Sequence, residues 1–205
     1  MGPSLRQRLE GVSNDTARAE LILNLPKRSV LAPSNHECLL DILRSEANPL
    51  IQFAIARTLA RADGARVAEH VVPVFLRLLA DVKPLVQAYK PIATRGYDAA
   101  DEIAICLCLV GKDQAPTILP VLDDVLDRYT GFNATMLAHA LLWLALSGRP
   151  KPEGLSFQQM TSEQQQALKW IAASTRAWRF VNIAESLTFF GLPTTREALR
   201  QFCNQ

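Results

Sequence analysis

Ala54-Ile-Ala-Arg-Thr-Leu-Ala-Arg-Ala-Asp63 and Ala104-Ile-Cys-Leu-Cys-Leu-Val-Gly-Lys-Asp113 align without a gap. Each is an apolar run with few polar positions, closed by residues that leave a helix readily. The same cadence returns in Leu141-Leu-Trp-Leu-Ala-Leu-Ser-Gly148 and in Glu185-Ser-Leu-Thr-Phe-Phe-Gly191. Successive copies lie 50, 37 and 43 residues apart. Around them no stretch alternates apolar and polar residues over a strand's length, and no Asn-Gly turn joins β-branched runs. The recurring unit is therefore helical, and its length leaves room for a second helix after each apolar run.

The second helices match as well. Val72-Pro-Val-Phe-Leu-Arg-Leu-Leu79 parallels Leu119-Pro-Val-Leu-Asp-Asp-Val-Leu126, each with a proline expected near a helix start. Boundary signals agree with the division. Ser34-Asn-His-Glu37, Thr161-Ser-Glu-Gln164 and Thr194-Thr-Arg-Glu197 have capping-box spacing, in which a hydroxyl accepts from the N3 amide and the N3 side chain reaches back. Asn48-Pro49 pairs a capping residue with proline at the first helical position, where its missing N–H costs nothing. Gly111, Gly148 and Gly191 follow apolar runs, as left-handed C-terminal residues do. The expected hairpins are 14–25 with 34–46, 48–62 with 65–80, 98–110 with 115–128, 133–147 with 161–175, and 177–190 with 194–203.

A two-helix unit of about 40 residues, with an apolar first helix, Gly or Asp at the turn and Pro-Val-x-Leu in the second, resembles the HEAT and armadillo-like repeat. The resemblance covers roughly residues 14–203. It implies an all-α superhelix of about five antiparallel hairpins, a single domain over 1–205. One hairpin cannot bury its apolar face alone, and stacking supplies the missing core. Central first helices should then be apolar nearly all round, as Ile103–Val110 and Met136–Leu146 are, while 194–205 is polar as a terminal helix should be.

Bulk composition narrows the function classes. Hydrophobic residues make up 49% of the 205 and charged residues 20%, which suits a chain with a sizeable core. The net charge of +2 lacks the basic excess usual in nucleic-acid readers. Cys38, Cys106, Cys108 and Cys203 include no CxxC pair, and residues 106 and 108 sit about 200° apart on a helix, so they cannot share a ligand. Free thiols in a reducing compartment are expected. The opening residues MGPSLRQRLEG carry no apolar signal core, and the run Met136–Leu146 falls short of the ~20 residues that span a bilayer. A cytoplasmic protein without membrane contact is expected.

The repeat is interrupted at 81–97 and at 148–160. Inserted loops in solenoids often bind, and 81–97 carries Lys83, Lys90, Arg95, Tyr89 and Tyr97. Second helices usually line the concave face, so Glu69, His70 and Arg77 are binding candidates there. Asp123, Asp124, Asp127 and Arg128 follow them, with the aspartates as an acidic stripe for a basic partner segment. Trp170 and Trp178 are further aromatic anchors.

Chemical signatures are missing: no phosphate loop, dinucleotide fingerprint or nucleophile elbow occurs. His36, His70 and His139 have no His or Cys at metal-ligand spacing. No catalytic residue, metal or cofactor is assigned. The expected function is a non-enzymatic scaffold, adaptor or immunity-type inhibitor that docks another protein. Two alternatives stand beside it. One is a HEAT-like nucleic-acid binder, resembling HEAT-like DNA glycosylases, using a basic edge that runs through Lys27, Arg28, Arg61, Arg66, Lys112, Arg149, Lys151 and Arg196. The other is a HEAT-like lyase or isomerase, resembling the bilin lyases.

Overall fold

The computed structural model describes residues 3–93, 96–128, 134–175, 177–179 and 181–205, with the side chains of Asp127, Arg128, Ala134, Val181 and Asn182 outside that description. The described chain is all-helical. Residues Met1–Gly111 form one compact unit containing α1 (Leu5–Glu10), α2 (Asp15–Leu23), α3 (Lys27–Val30), α4 (Pro33–Ser45), α5 (Pro49–Asp63), α6 (Ala68–Ala80), α7 (Val82–Tyr89) and α8 (Ala99–Val110). Residues Lys112–Gln205 form a second, with α9 (Ala115–Arg128), α10 (Ala134–Leu146), α11 (Ser162–Ala173), α12 (Val181–Phe189) and α13 (Arg196–Cys203).

Each unit is organised around one apolar helix. In the first it is α5, which packs against α2, α4, α6 and α8. Ile51, Phe53, Ala54, Ile55 and Ala56 are fully buried, so the helix has no solvent side over this stretch. In the second it is α10, packed against α9, α11 and α12, with Leu137, Ala138, Ala140 and Leu142 fully buried. These are the runs from which the repeat is read, and burial on every side explains why they lack an amphipathic stripe.

Several expected boundaries hold and several move. Asn48 caps α5, its Oδ1 accepting from Leu50 and Ile51 with Pro49 at the first helical position. Thr161 and Gln164 form the reciprocal box at the start of α11. Ser34, by contrast, lies inside α4, because Pro33 takes the first helical position and Ala32 the cap. At α13 the capping hydroxyl belongs to Thr195, not Thr194. Gly191 is left-handed at φ 67°, whereas Gly111 keeps a right-handed φ of −90°.

The stretch 81–97 is helical through most of its length, since 82–89 is α7 and a short 3-10 turn, Lys90–Ile92, continues it. Pro84 is the third residue of α7, within the first turn, where an N–H has no helical acceptor to lose. Val82, Leu85 and Tyr89, at i, i+3 and i+7, are buried as one stripe. The prolines of the two matched second helices also sit deeper than expected. Pro73 and Pro120 lie inside α6 and α9. Each removes the donor for the carbonyl four residues earlier, at Glu69 and Pro116.

Candidate functional site

In the unit Lys112–Gln205, α9 and α11 flank a groove of about 310 Å³ over α10. One stripe of α9 supplies Pro116, Leu119, Pro120 and Asp123. The facing stripe of α11 supplies Glu163, Gln166, Ala167 and Trp170, and Leu141 of α10 reaches the floor. Both stripes follow the i, i+3/i+4, i+7 spacing that keeps side chains on one helical face. The Thr161 box fixes where α11 begins and so sets the phase of its stripe.

The lining is apolar at its centre and acidic at its rim. Asp123 and Glu163 bring carboxylates, and the described lining residues include no Lys, Arg or His. Glu163 is held below the usual carboxylate range, first by its own backbone amide and then by the Thr161 and Ser162 hydroxyls. Gln166 Nε2 donates to Asp123 Oδ2 at 3.5 Å, linking α11 to α9. A surface offering carboxylates and an indole face suits a cationic side chain carried on an apolar segment.

Of the sequence-derived candidates, Asp123 lies in this groove. Asp124, the next residue on the helix, is exposed and outside its lining. The side chains of Asp127 and Arg128 lie outside the described residues. Trp170 is a half-buried wall of the groove, whereas Trp178 is tied down, its Nε1 donating to the Ile171 carbonyl at 3.0 Å. Glu163 passed in sequence for a capping-region acid, and only the stripe it shares with Trp170 could have marked it.

Glu69, His70 and Arg77 do meet, in the other unit. They line a cleft of about 410 Å³ with Arg44, Glu46 and Gln52. His70 Nε2 lies 3.4 Å from Glu69 Oε1, and Arg77 Nη2 donates to Gln52 Oε1 at 3.1 Å. Charges of both signs share that cleft, so it selects neither an anionic nor a cationic ligand. Tyr97 is 38% exposed ahead of α8. Tyr89 is not a docking residue: only 1% exposed, it meets Phe53 edge-on at 4.9 Å, and burial raises its phenol's pKa. Its place in the α7 stripe is the physical reason.

A buried charge cluster escaped the sequence reading. Glu102 on α8 is 1% exposed. Arg57 grips it with two bonds, Nε to Oε2 at 2.9 Å and Nη2 to Oε1 at 3.1 Å, and Arg61 Nη2 adds a third to Oε2 at 2.6 Å. Burial alone would raise the Glu102 carboxyl, but the hydrogen bonds and charges of the two arginines outweigh it and hold the group below its ordinary value. Asp101 beside it accepts from the Asp98 amide through Oδ2, while its buried Oδ1 has no hydrogen-bond partner among the described residues. Burial, with the Asp98 charge adding to it, pushes Asp101 up to about 6. Arg57 and Arg61, one turn apart in an otherwise apolar helix, were the available signal.

The remaining reactive groups are inwardly engaged. His139 Nδ1 and Ser186 Oγ are 2.7 Å apart, and burial lowers the imidazole's affinity for a proton. Burial pushes the Cys106 and Cys108 thiols up to about 12, far from the reactive thiolate. Among the described residues no group of three or more His, Cys, Asp or Glu side chains could hold a metal ion, and no single helix is long and apolar enough to cross a membrane. Comparison with protein-family models, with characterised proteins and with solved structures finds no match.

Proposed function

We propose that this chain is a HEAT-like helical-repeat protein that binds another protein, taking a cationic segment of it into the groove between α9 and α11. The observation that carries the reading is the described lining itself: an indole wall and two carboxylates on facing stripes of two helices. Repeat character draws support from packing within each unit. The first helices of successive expected hairpins lie against one another, α2 on α5 and α5 on α8 in one unit, and α10 on α12 in the other.

The nucleic-acid alternative loses two of its cations to internal bonds. Arg61 is engaged by Glu102, and Arg196 donates to the Ala172 and Ala173 carbonyls at 3.1 and 2.6 Å. The test is capture from a native extract followed by affinity measurement on the purified pair. A partner held through an Arg- or Lys-bearing segment should bind more weakly as salt rises, and Asp123→Lys or Trp170→Ala should cost it about thirtyfold in Kd, the scale of a hot-spot loss. Unchanged affinity in both variants would reject the groove as the docking site.

A further inference from the structure

The unit Lys112–Gln205 carries a second open surface, at the end of α12. Phe189 is 71% exposed, more than any other large hydrophobic side chain among the described residues. Its ring does not hang loose: the centroid is 5.2 Å from Phe190, edge-on at 88°, and 5.3 Å from Trp143. The projecting ring is itself one wall of a cavity of about 280 Å³, shared with Trp143, Leu146, Pro152 and Phe190 and rimmed by Lys151 and Glu153. An exposed apolar ring and the apolar cavity it borders thus share one face.

Both are built in advance. Helix α12 ends with Leu192 N–H bonded to the Leu187 carbonyl at 2.9 Å and Gly191 N–H to that of Thr188 at 3.0 Å, the pair of bonds that defines a Schellman stop. This stop aims Phe189 outward. Gly191 also lets the 148–160 segment close on the helix end, because a β-carbon there would lie 3.1 Å from Glu153 Cγ. Buried Gln164 holds the same segment from its other side, donating to the Pro150 carbonyl at 2.8 Å. The backbone that carries the surface is held in place before contact, which lowers the entropic cost of association.

We infer that this face is a self-association surface, on which two copies exchange Phe189 reciprocally, each ring entering the other copy's cavity. The occupant follows from complementarity. A two-fold axis brings a patch against itself, so the patch must fit its own image in shape and charge. Here an apolar ring borders an apolar cavity open on the same face, and the rim carries one cation, Lys151, and one anion, Glu153, both exposed. Two-fold pairing sets Lys151 of one copy toward Glu153 of the other, twice. A partner of single charge sign would meet a like charge at one end of the same rim. This surface is independent of the acidic groove, and neither proposal depends on the other.

Sedimentation equilibrium of the full chain over a wide concentration range tests it. The mass should rise from 22.7 kDa toward twice that value with increasing protein. Phe189→Asp should weaken association by about thirtyfold while leaving the far-UV spectrum intact. Lys151→Glu and Glu153→Lys should each weaken it by about fivefold, the scale of an exposed ion pair, and the double reversal should restore it. That rescue occurs only if the two residues face each other across copies. A monomer at every concentration would overturn the proposal and leave the face to a different protein or an apolar ligand. So would a dimer indifferent to Phe189→Asp, or a double reversal no better than the single ones.

Discussion

Arg57 and Arg61 turn their guanidinium groups onto Glu102 within the unit Met1–Gly111, and Arg77 turns onto Gln52. In the unit Lys112–Gln205, Asp123 and Glu163 stand at the rim of an indole-walled groove, and Phe189 projects into solvent. Both units are built on the same plan, an apolar central helix wrapped by others. They differ in where their polar and aromatic chemistry points. The first turns its largest charge cluster inward, where it fixes structure. The second carries an acidic, indole-walled groove and a projecting ring at the surface. That contrast tells more about function than the repeat does, because a stacked hairpin by itself names no partner.

The contrast can be broken most directly at Glu102. Glu102→Gln leaves two largely buried guanidinium groups without their counter-charge, and an expected loss of about 3 kcal/mol in urea denaturation follows from the cost of breaking a buried pair. A loss under about 0.5 kcal/mol would mean the cluster is not the keystone its geometry suggests. The matching change in the other unit is Trp170→Ala. It should lower partner affinity by about 2 kcal/mol while moving the denaturation midpoint far less than Glu102→Gln does. If it unfolds the chain instead, the groove is core and not a site.

Asp101 gives a pH signature of the inward-facing unit. Its folded pKa of about 6 lies above its ordinary 3.8. The folded state therefore holds a proton that the unfolded state has already released, and stability falls as pH rises through 6. The expected loss is about 1 kcal/mol between pH 5 and 7. Asp101→Asn should flatten that slope and keep the cap, since its amide oxygen can still accept from the Asp98 amide. An unchanged slope would assign the dependence elsewhere. Glu102 has the opposite sign, contributing at neutral pH and losing its contribution only in acid. The smallest effect belongs to Phe189→Ser, expected within about 0.5 kcal/mol of the parent because the ring is mostly exposed. A larger destabilisation would move Phe189 from surface to core.

What could be read in advance was what is encoded locally. The cap at Asn48-Pro49, the box at Thr161 and the apolar runs of α5, α8 and α10 all depend on residues within a turn or two of each other. Tyr89 misled because Pro84 and Pro91 with nearby lysines look like loop composition, and only the tolerance of a helix's first turn for proline makes α7 possible. Glu102 was unreadable for a different reason: its partners are 41 and 45 residues away. The groove was half legible. Asp123 and Trp170 were singled out separately, but their meeting depends on the phases of two helices joined through α10.

The placement of the tryptophans has a practical consequence. All three, Trp143, Trp170 and Trp178, fall within residues 112–205. Indole emission is thus an optical label for that unit alone, supplied by the natural chain, while Met1–Gly111 contributes helical circular dichroism and no indole signal. Unfolding curves recorded by the two probes will superimpose only if the units melt together, so one sample without any dye tells whether the cooperative unit is the whole chain or half of it.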